Sequence, residues 1–129
     1  MNPGDTLEPR EYPVTRADLV AYADASGDQN PIHQDDDVAR SVGLPGVIAH
    51  GMYTMALAAR AVSDWTGAAE VVELGCKFTS PVVVPAEGSV VVTVGGTVKT
   101  VDDGLATLAL EVTCDGTKVL GRPRAVVRA

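Results

Sequence analysis

The sequence predicts an α+β domain in which an antiparallel sheet wraps one hydrophobic helix, and three observations carry that prediction. The first half of the chain has helical spacing with capping signals. From Gly51 to Val62 nearly every side of a continuous segment is apolar. Beyond Gly67 the hydrophobic period drops to two, broken by Asp-Gly turns.

Thr15-Arg16-Ala17-Asp18 has the form of a capping box, in which the acid returns a bond to the cap backbone. Leu19, Val20 and Ala23 follow at helical spacing, with Gly27 as the stop. Pro31 restrains Asn30 away from helical geometry, so Ser26–Gln34 is expected as a loop holding at most one turn. A short second helix starts at Asp35 or Asp36, with Val38, Ala39 and Val42 on one side and Gly43 closing it. Leu44-Pro45-Gly46 is a turn into the apolar helix, which runs from His50 to about Trp65. A helix apolar all round is one surrounded by protein. After it, Val72, Leu74, Cys76 and Phe78 alternate with polar or small neighbours, and Val90, Val92 and Val94 share one face of a strand reaching Thr100. Asp102-Asp103-Gly104 turns the chain into a strand with Ala106, Leu108, Leu110, Val112 and Cys114 on one face. Asp115-Gly116 then leads to a last strand from Lys118 to Arg128. Tyr12–Thr15 is a further candidate strand. Nothing marks a linker or a repeat, so one domain is expected over 1–129.

Composition narrows the function. Apolar residues at 46% against 21% charged describe a chain able to bury a core. Ten Lys plus Arg against 17 Asp plus Glu, a net charge of −7, argue against bulk nucleic-acid binding, which needs phosphate-neutralising cations. Cys76 and Cys114 lack zinc or redox spacing and are expected as buried thiols of a reduced, cytoplasmic protein. No targeting segment is legible. The longest apolar stretch contains Arg60 and is shorter than the roughly 20 residues of a membrane span.

The chemistry-bearing residues crowd into Ser26-Gly27-Asp28-Gln29-Asn30-Pro31-Ile32-His33 and Ala49-His50-Gly51-Met52. A carboxylate and an imidazole facing one small volume can hold a water and move protons near neutral pH. The plainer reading is that Asp28 caps the next turn and His33 packs. Gly51 stands where the apolar helix begins, and the first N–H groups of a helix have no internal partner, which is the geometry of an oxyanion hole. A simple tight entry into the helix accounts for it equally well. His50 is a ligand, a second base or a structural hydrogen-bonder, the last preferred. Asp35-Asp36-Asp37 near His33 and His50 is better explained by capping than by a metal. No Walker loop, nucleophile elbow or dinucleotide fingerprint is present, so no metal and no cofactor is expected.

The run from Tyr22-Ala23-Asp24-Ala25-Ser26-Gly27-Asp28-Gln29-Asn30-Pro31-Ile32-His33 to Ile48-Ala49-His50-Gly51-Met52 resembles the hydratase-2 motif of MaoC-like dehydratases, the (R)-specific enoyl-CoA hydratase family. Tyr12-Pro13-Val14-Thr15-Arg16 and the ending Gly121-Arg122-Pro123-Arg124-Ala125 look most like its HadB-type branch, the β subunits of (3R)-hydroxyacyl-ACP dehydratases. The resemblance implies a hot-dog fold, a curved antiparallel sheet around a long central helix. It implies reversible hydration of a trans-2-enoyl thioester to the (3R)-3-hydroxyacyl thioester, on CoA or an acyl-carrier protein (ACP). Asp28 and His33 would be the catalytic dyad, Asn30 would orient them or the water, and the Gly51 N–H would be the oxyanion donor. It also implies a homodimer or a heterodimer with a sister hot-dog subunit.

Met52, Met55 and Ala59 are candidates for the acyl pocket, and equally for the core. Arg122, Arg124 and Arg128 fall at one parity in a stretch without acids, so a shared face contacting an anionic carrier is expected, with a solvated strand face as the alternative. Two rival functions are a hot-dog acyl thioesterase, which would aim water at the carbonyl carbon, and a non-catalytic acyl-binding partner subunit. The intact Asp28 and His33 weigh against both.

Overall fold

In the computed structural model, which describes residues 1–129, strand β1 (Thr6–Val14) passes through Thr15 into helix α1 (Arg16–Ser26). Both arms of the capping box are made. The Thr15 hydroxyl accepts from the Asp18 N–H at 3.2 Å, and the Asp18 carboxylate accepts from the Thr15 N–H at 2.9 Å. Gly27, at φ 80°, ends the helix in the left-handed region. A single 3₁₀ turn, Pro31–His33, precedes helix α2 (Asp36–Ser41), whose cap Asp35 accepts from the N–H groups of Asp37 and Val38. Of its expected apolar side only Ala39 is fully buried. Val42 lies beyond the last helical residue and is exposed.

Helix α3 (Gly51–Thr66) buries Thr54, Leu57, Ala58, Ala61 and Val62. Its other side carries Met52 and Ala56 in the open. The apolar pattern therefore finds protein on one face only within a single chain.

The sheet comprises β2 (Val71–Phe78), β3 (Val90–Asp102), β4 (Leu105–Cys114), β5 (Thr117–Lys118) and β6 (Leu120–Arg128) together with β1. Its order is β1-β3-β4-β6-β2, antiparallel throughout, with β5 pairing only with β4. Asp103-Gly104 and Asp115-Gly116 both have two successive positive φ angles, the primed turn that matches strand twist. The predicted faces of β3 and β4 are the buried ones: Val92 and Val94, with Val90 half-buried at the strand's start, then Ala106, Leu108, Leu110, Val112 and Cys114. Both cysteines are free thiols, and burial pushes their pKa values up. No helix is long and apolar enough to cross a membrane.

The edges depart from expectation. Strand β1 begins at Thr6, six residues before the expected Tyr12, and its register shifts between Leu7 and Arg10. On β2, Leu74 and Cys76 are half-buried but Val72 and Phe78 are exposed, because β2 is an edge strand interrupted by two register shifts. The last strand is split at Val119. The three arginines expected on one face are all exposed, with Pro123, Ala125 and Val127 buried between them, but the strand is irregular at Arg122. Gly75 pairs with Arg124 while Lys77 pairs with Gly121, so β6 carries one residue more than β2 there, and Arg122 sits at φ 47°. Arg124 meets Glu73 at 3.4 Å and Arg128 meets Glu70 at 2.7 Å, acids that sequence parity could not place beside them.

One carboxylate ties the helical layer to the site. Asp36 Oδ1 accepts from the Val47 N–H at 3.0 Å and from Arg16 Nη2 at 2.9 Å, while Arg16 Nε donates to the Val84 carbonyl at 2.7 Å. The Val47 N–H, then Arg16, hold the Asp36 pKa below its ordinary 3.8. A depressed folded-state pKa stabilises above the unfolded value, and that stabilisation disappears as pH falls through the folded one. Asp36→Asn is therefore expected to lower the melting temperature at neutral pH. Thermal melts between about pH 5 and pH 2 should then show a shallower decline for the variant than for the wild type. Parallel curves would remove Asp36 from this role.

Candidate active site

The two polar segments meet at the N-terminal tip of α3. Asn30 is extended, as a residue before proline must be, and its side-chain carbonyl accepts from the Ile32 N–H at 3.2 Å. The resulting turn buries His33, whose Nδ1 donates to the Ile48 carbonyl at 2.7 Å. A carbonyl can only accept, so Nδ1 carries the proton and the neutral ring keeps its lone pair on Nε2. Residue 48 is itself held firmly. Its N–H donates to the Ile32 carbonyl at 3.2 Å, and the flanking Ala49 and Val84 N–H groups donate across to Val82 and Val47, each at 2.9 Å.

Asp28 Oδ1 accepts from the Asn30 N–H at 3.2 Å, which sets the carboxylate's direction. Asn30 thus orients Asp28 through its backbone, while its side chain is engaged in the 3₁₀ turn. The Asp28 backbone carbonyl accepts from His50 Nε2 at 3.1 Å. His50 is 2% exposed, and its ring stacks on His33 with centroids 3.8 Å apart and 24° between planes. The Tyr22 ring meets it edge-on at 4.8 Å. His50 Nδ1 is buried without a partner. His50 holds the Asp28 backbone with one nitrogen and stacks its face on His33, the contacts expected of its structural reading. One ionisable-group atom from each of Asp28, His33 and His50 lies within 4.8 Å of the other two. The acids at 35–37 are engaged elsewhere, Asp35 in the α2 cap, Asp36 on Val47 and Arg16, and Asp37 beside Arg40 at 3.9 Å.

His50 also caps α3 without a side-chain bond. Its carbonyl receives the N–H groups of Tyr53 and Thr54, and the N–H groups of Gly51 and Met52 find no acceptor in the chain. Two unclaimed donors at the positive end of a 16-residue helix face outward. Asp28, His33, Gly51 and Met52 all line one cleft of about 570 Å³. Its walls are Ile48, Thr54, Phe78, Pro81, Val82, Val119 and Leu120, with Tyr22, Ser26, Thr79 and Ser80 adding polar atoms. Of the three acyl-pocket candidates only Met52 reaches the cleft. Met55 and Ala59 lie one and two turns further along α3, up to about 10 Å down the axis. Tyr22, Phe78 and Ser80 escaped the sequence reading.

Such an arrangement can hold a water between a carboxylate and a bare imidazole nitrogen, with an oxyanion gripped at the helix tip. A curved antiparallel sheet wrapped on one helix, with its cleft at the helix tip, defines the hot-dog class. Within that class the chain belongs to the MaoC-like family: the MaoC like domain matches residues 1–115. A solved structure of a MaoC-like dehydratase superposes with a TM-score of 0.95 at 36% identity, covering 99% of this chain and 40% of the other. A 3-hydroxyacyl-thioester dehydratase of Mycobacterium tuberculosis is 35% identical over 82 residues, covering 64% of this chain and 29% of its own. A mitochondrial 3-hydroxyacyl-[acyl-carrier-protein] dehydratase of Arabidopsis thaliana is 36% identical over 85 residues, covering 65% and 50%. The chain thus matches no more than half the length of either curated relative.

Proposed function

We propose that the chain catalyses reversible hydration of a trans-2-enoyl thioester to the (3R)-3-hydroxyacyl thioester, in fatty-acid or related acyl metabolism. The observation that carries this reading is the convergence of Asp28, His33 and the two free α3 amides on one cleft. In hydration, the water oxygen bonds to C3 as the dyad takes its proton. Electron density moves to the thioester oxygen, where the Gly51 N–H holds it, and a proton then returns to C2 from the same side. Dehydration runs these steps backwards, so Asp28 and His33 exchange acid and base roles around one shared water. Donors fixed at the developing charge contribute about 3–4 kcal/mol each.

Incubation with crotonyl-CoA and longer enoyl thioesters tests the reading. The expected product is the (3R)-hydroxyacyl thioester. Release of free thiol would instead assign a thioesterase, and no turnover of any enoyl thioester would leave an acyl-binding subunit.

The open side of α3 and the edge strand β2 support assembly of two hot-dog chains. β2 exposes Val71, Val72 and Phe78 beside unpaired backbone groups, whereas the opposite edge, β1, is interrupted by Pro9 and Pro13. A dimer, of two copies or with a sister subunit, covers both surfaces. Val72→Lys is expected to shift the purified chain toward monomer in sedimentation equilibrium. An unchanged mass would place the contact elsewhere.

A further inference from the structure

The catalytic cleft contains no Lys or Arg, although carriers of acyl thioesters are phosphorylated and the chain itself has a net charge of −7. The cations lie next door. A second groove of about 460 Å³ shares Thr79, Ser80 and Leu120 with the cleft, and Lys118 and Arg122 line it. Neither makes an ion pair, in contrast to Arg124 and Arg128 on the same strand. Glu111 also faces this groove, and two cations against one acid leave it positive.

The backbone is built to present Arg122. The extra residue of β6 opposite Gly75–Lys77 falls beside Arg122, which is exposed at a φ of 47° that side-chain-bearing residues rarely adopt. Pro123 follows it and needs no ladder donor. The shared lip is closed tightly: Thr79 Oγ1 donates to the Lys118 carbonyl at 3.3 Å, and a Cβ on Gly121 would stand 2.8 Å from Thr79 Cγ2.

We propose that this groove seats the phosphate of the thioester's carrier, with Arg122 and Lys118 as its ligands and the acyl end crossing Thr79 and Ser80 into the catalytic cleft. The inference rests on the enoyl-thioester reading above. It narrows the three-arginine face that strand parity implied to Arg122, joined by Lys118, since Glu73 and Glu70 engage the other two arginines.

The test compares kcat/KM on crotonyl-CoA, a crotonylated acyl-carrier protein and crotonyl-pantetheine, which lacks phosphate. Arg122→Gln and Lys118→Gln are each expected to lower the CoA-to-pantetheine ratio about tenfold through KM, the worth of one charge-assisted bond. A parallel fall with the carrier protein assigns the phosphate next to the pantetheine arm, and a fall with CoA alone assigns the nucleotide's phosphates. Arg122→Gly, which removes the cation but suits the left-handed backbone, should show the same loss and guards against misfolding of the Gln variant. Ratios that stay within about twofold of wild type, or equal falls on crotonyl-CoA and crotonyl-pantetheine, overturn the proposal. Wild-type failure on all three thioesters overturns the hydratase reading itself.

Discussion

Asp28→Asn is expected to lower kcat for enoyl-thioester hydration by about 10²–10⁴-fold, the usual contribution of a positioned acid or base. The melting temperature should stay within about 3 °C of wild type. The separation of the two effects follows from the geometry. Asp28 is exposed, and the amide oxygen of asparagine can still accept from the Asn30 N–H, so the turn stays closed. Its backbone carbonyl, the group that His50 holds, is untouched. Only the negative charge and its capacity to take a proton are removed. His33→Ala should cost at least as much activity, but it also strips the Ile48 carbonyl of its donor in a buried place, at about 1–3 kcal/mol. A drop in melting temperature is therefore expected for His33→Ala and not for Asp28→Asn. Rates measured side by side on crotonyl-CoA, with melts recorded by circular dichroism, check both. Wild-type turnover by Asp28→Asn would dismiss the dyad.

The parts of this fold that sequence reveals are those whose causes are local. Thr15 and Asp18 lie within one helical turn of each other, and Asp103-Gly104 and Asp115-Gly116 need no distant partner to adopt their turn. Strands β3 and β4 sit in the middle of the sheet, where one face must be buried, so their alternation is sharp. Edge strands lack that constraint. Glu8-Pro9-Arg10-Glu11 in β1 faces solvent on both sides and offers no period to read. The bulge beside Arg122 is equally hidden, because it is defined by the count of residues on β2, more than 40 positions earlier in the chain. The same division holds at the site. Asp28, His33, His50 and Gly51 stand in two short contiguous runs and could be singled out together. Tyr22, Phe78 and Ser80 reach the cleft from α1 and from the end of β2: Tyr22 opens the motif-like run with no chemical role legible there, and nothing local marks Phe78 or Ser80. Met55 and Ala59 stand off the cleft for a geometric reason: it opens at the tip of α3, and they lie further along the axis.

Gly51→Ala is the complementary expectation at the oxyanion end, a fall of about 10²-fold in kcat with a smaller change in KM. A Cβ at this position would stand 3.0–3.2 Å from the Phe78 ring. Phe78 is 58% exposed on a sheet edge and can swing away, so little stability should be lost. The methyl group itself stays beside the Gly51 N–H, and it is expected to hold a thioester oxygen further from that donor. An interaction strongest when charge has collected on that oxygen shows in kcat more than in ground-state binding. Pairing the change with Phe78→Ala separates the two possible causes. With Phe78 shortened, the contact with its ring is gone but the methyl still shields the amide, so the double variant should remain about as slow as Gly51→Ala alone. Recovery to the rate of Phe78→Ala would mean that Gly51 is needed only to seat the aromatic ring, and the helix tip would then have no part in holding the thioester oxygen.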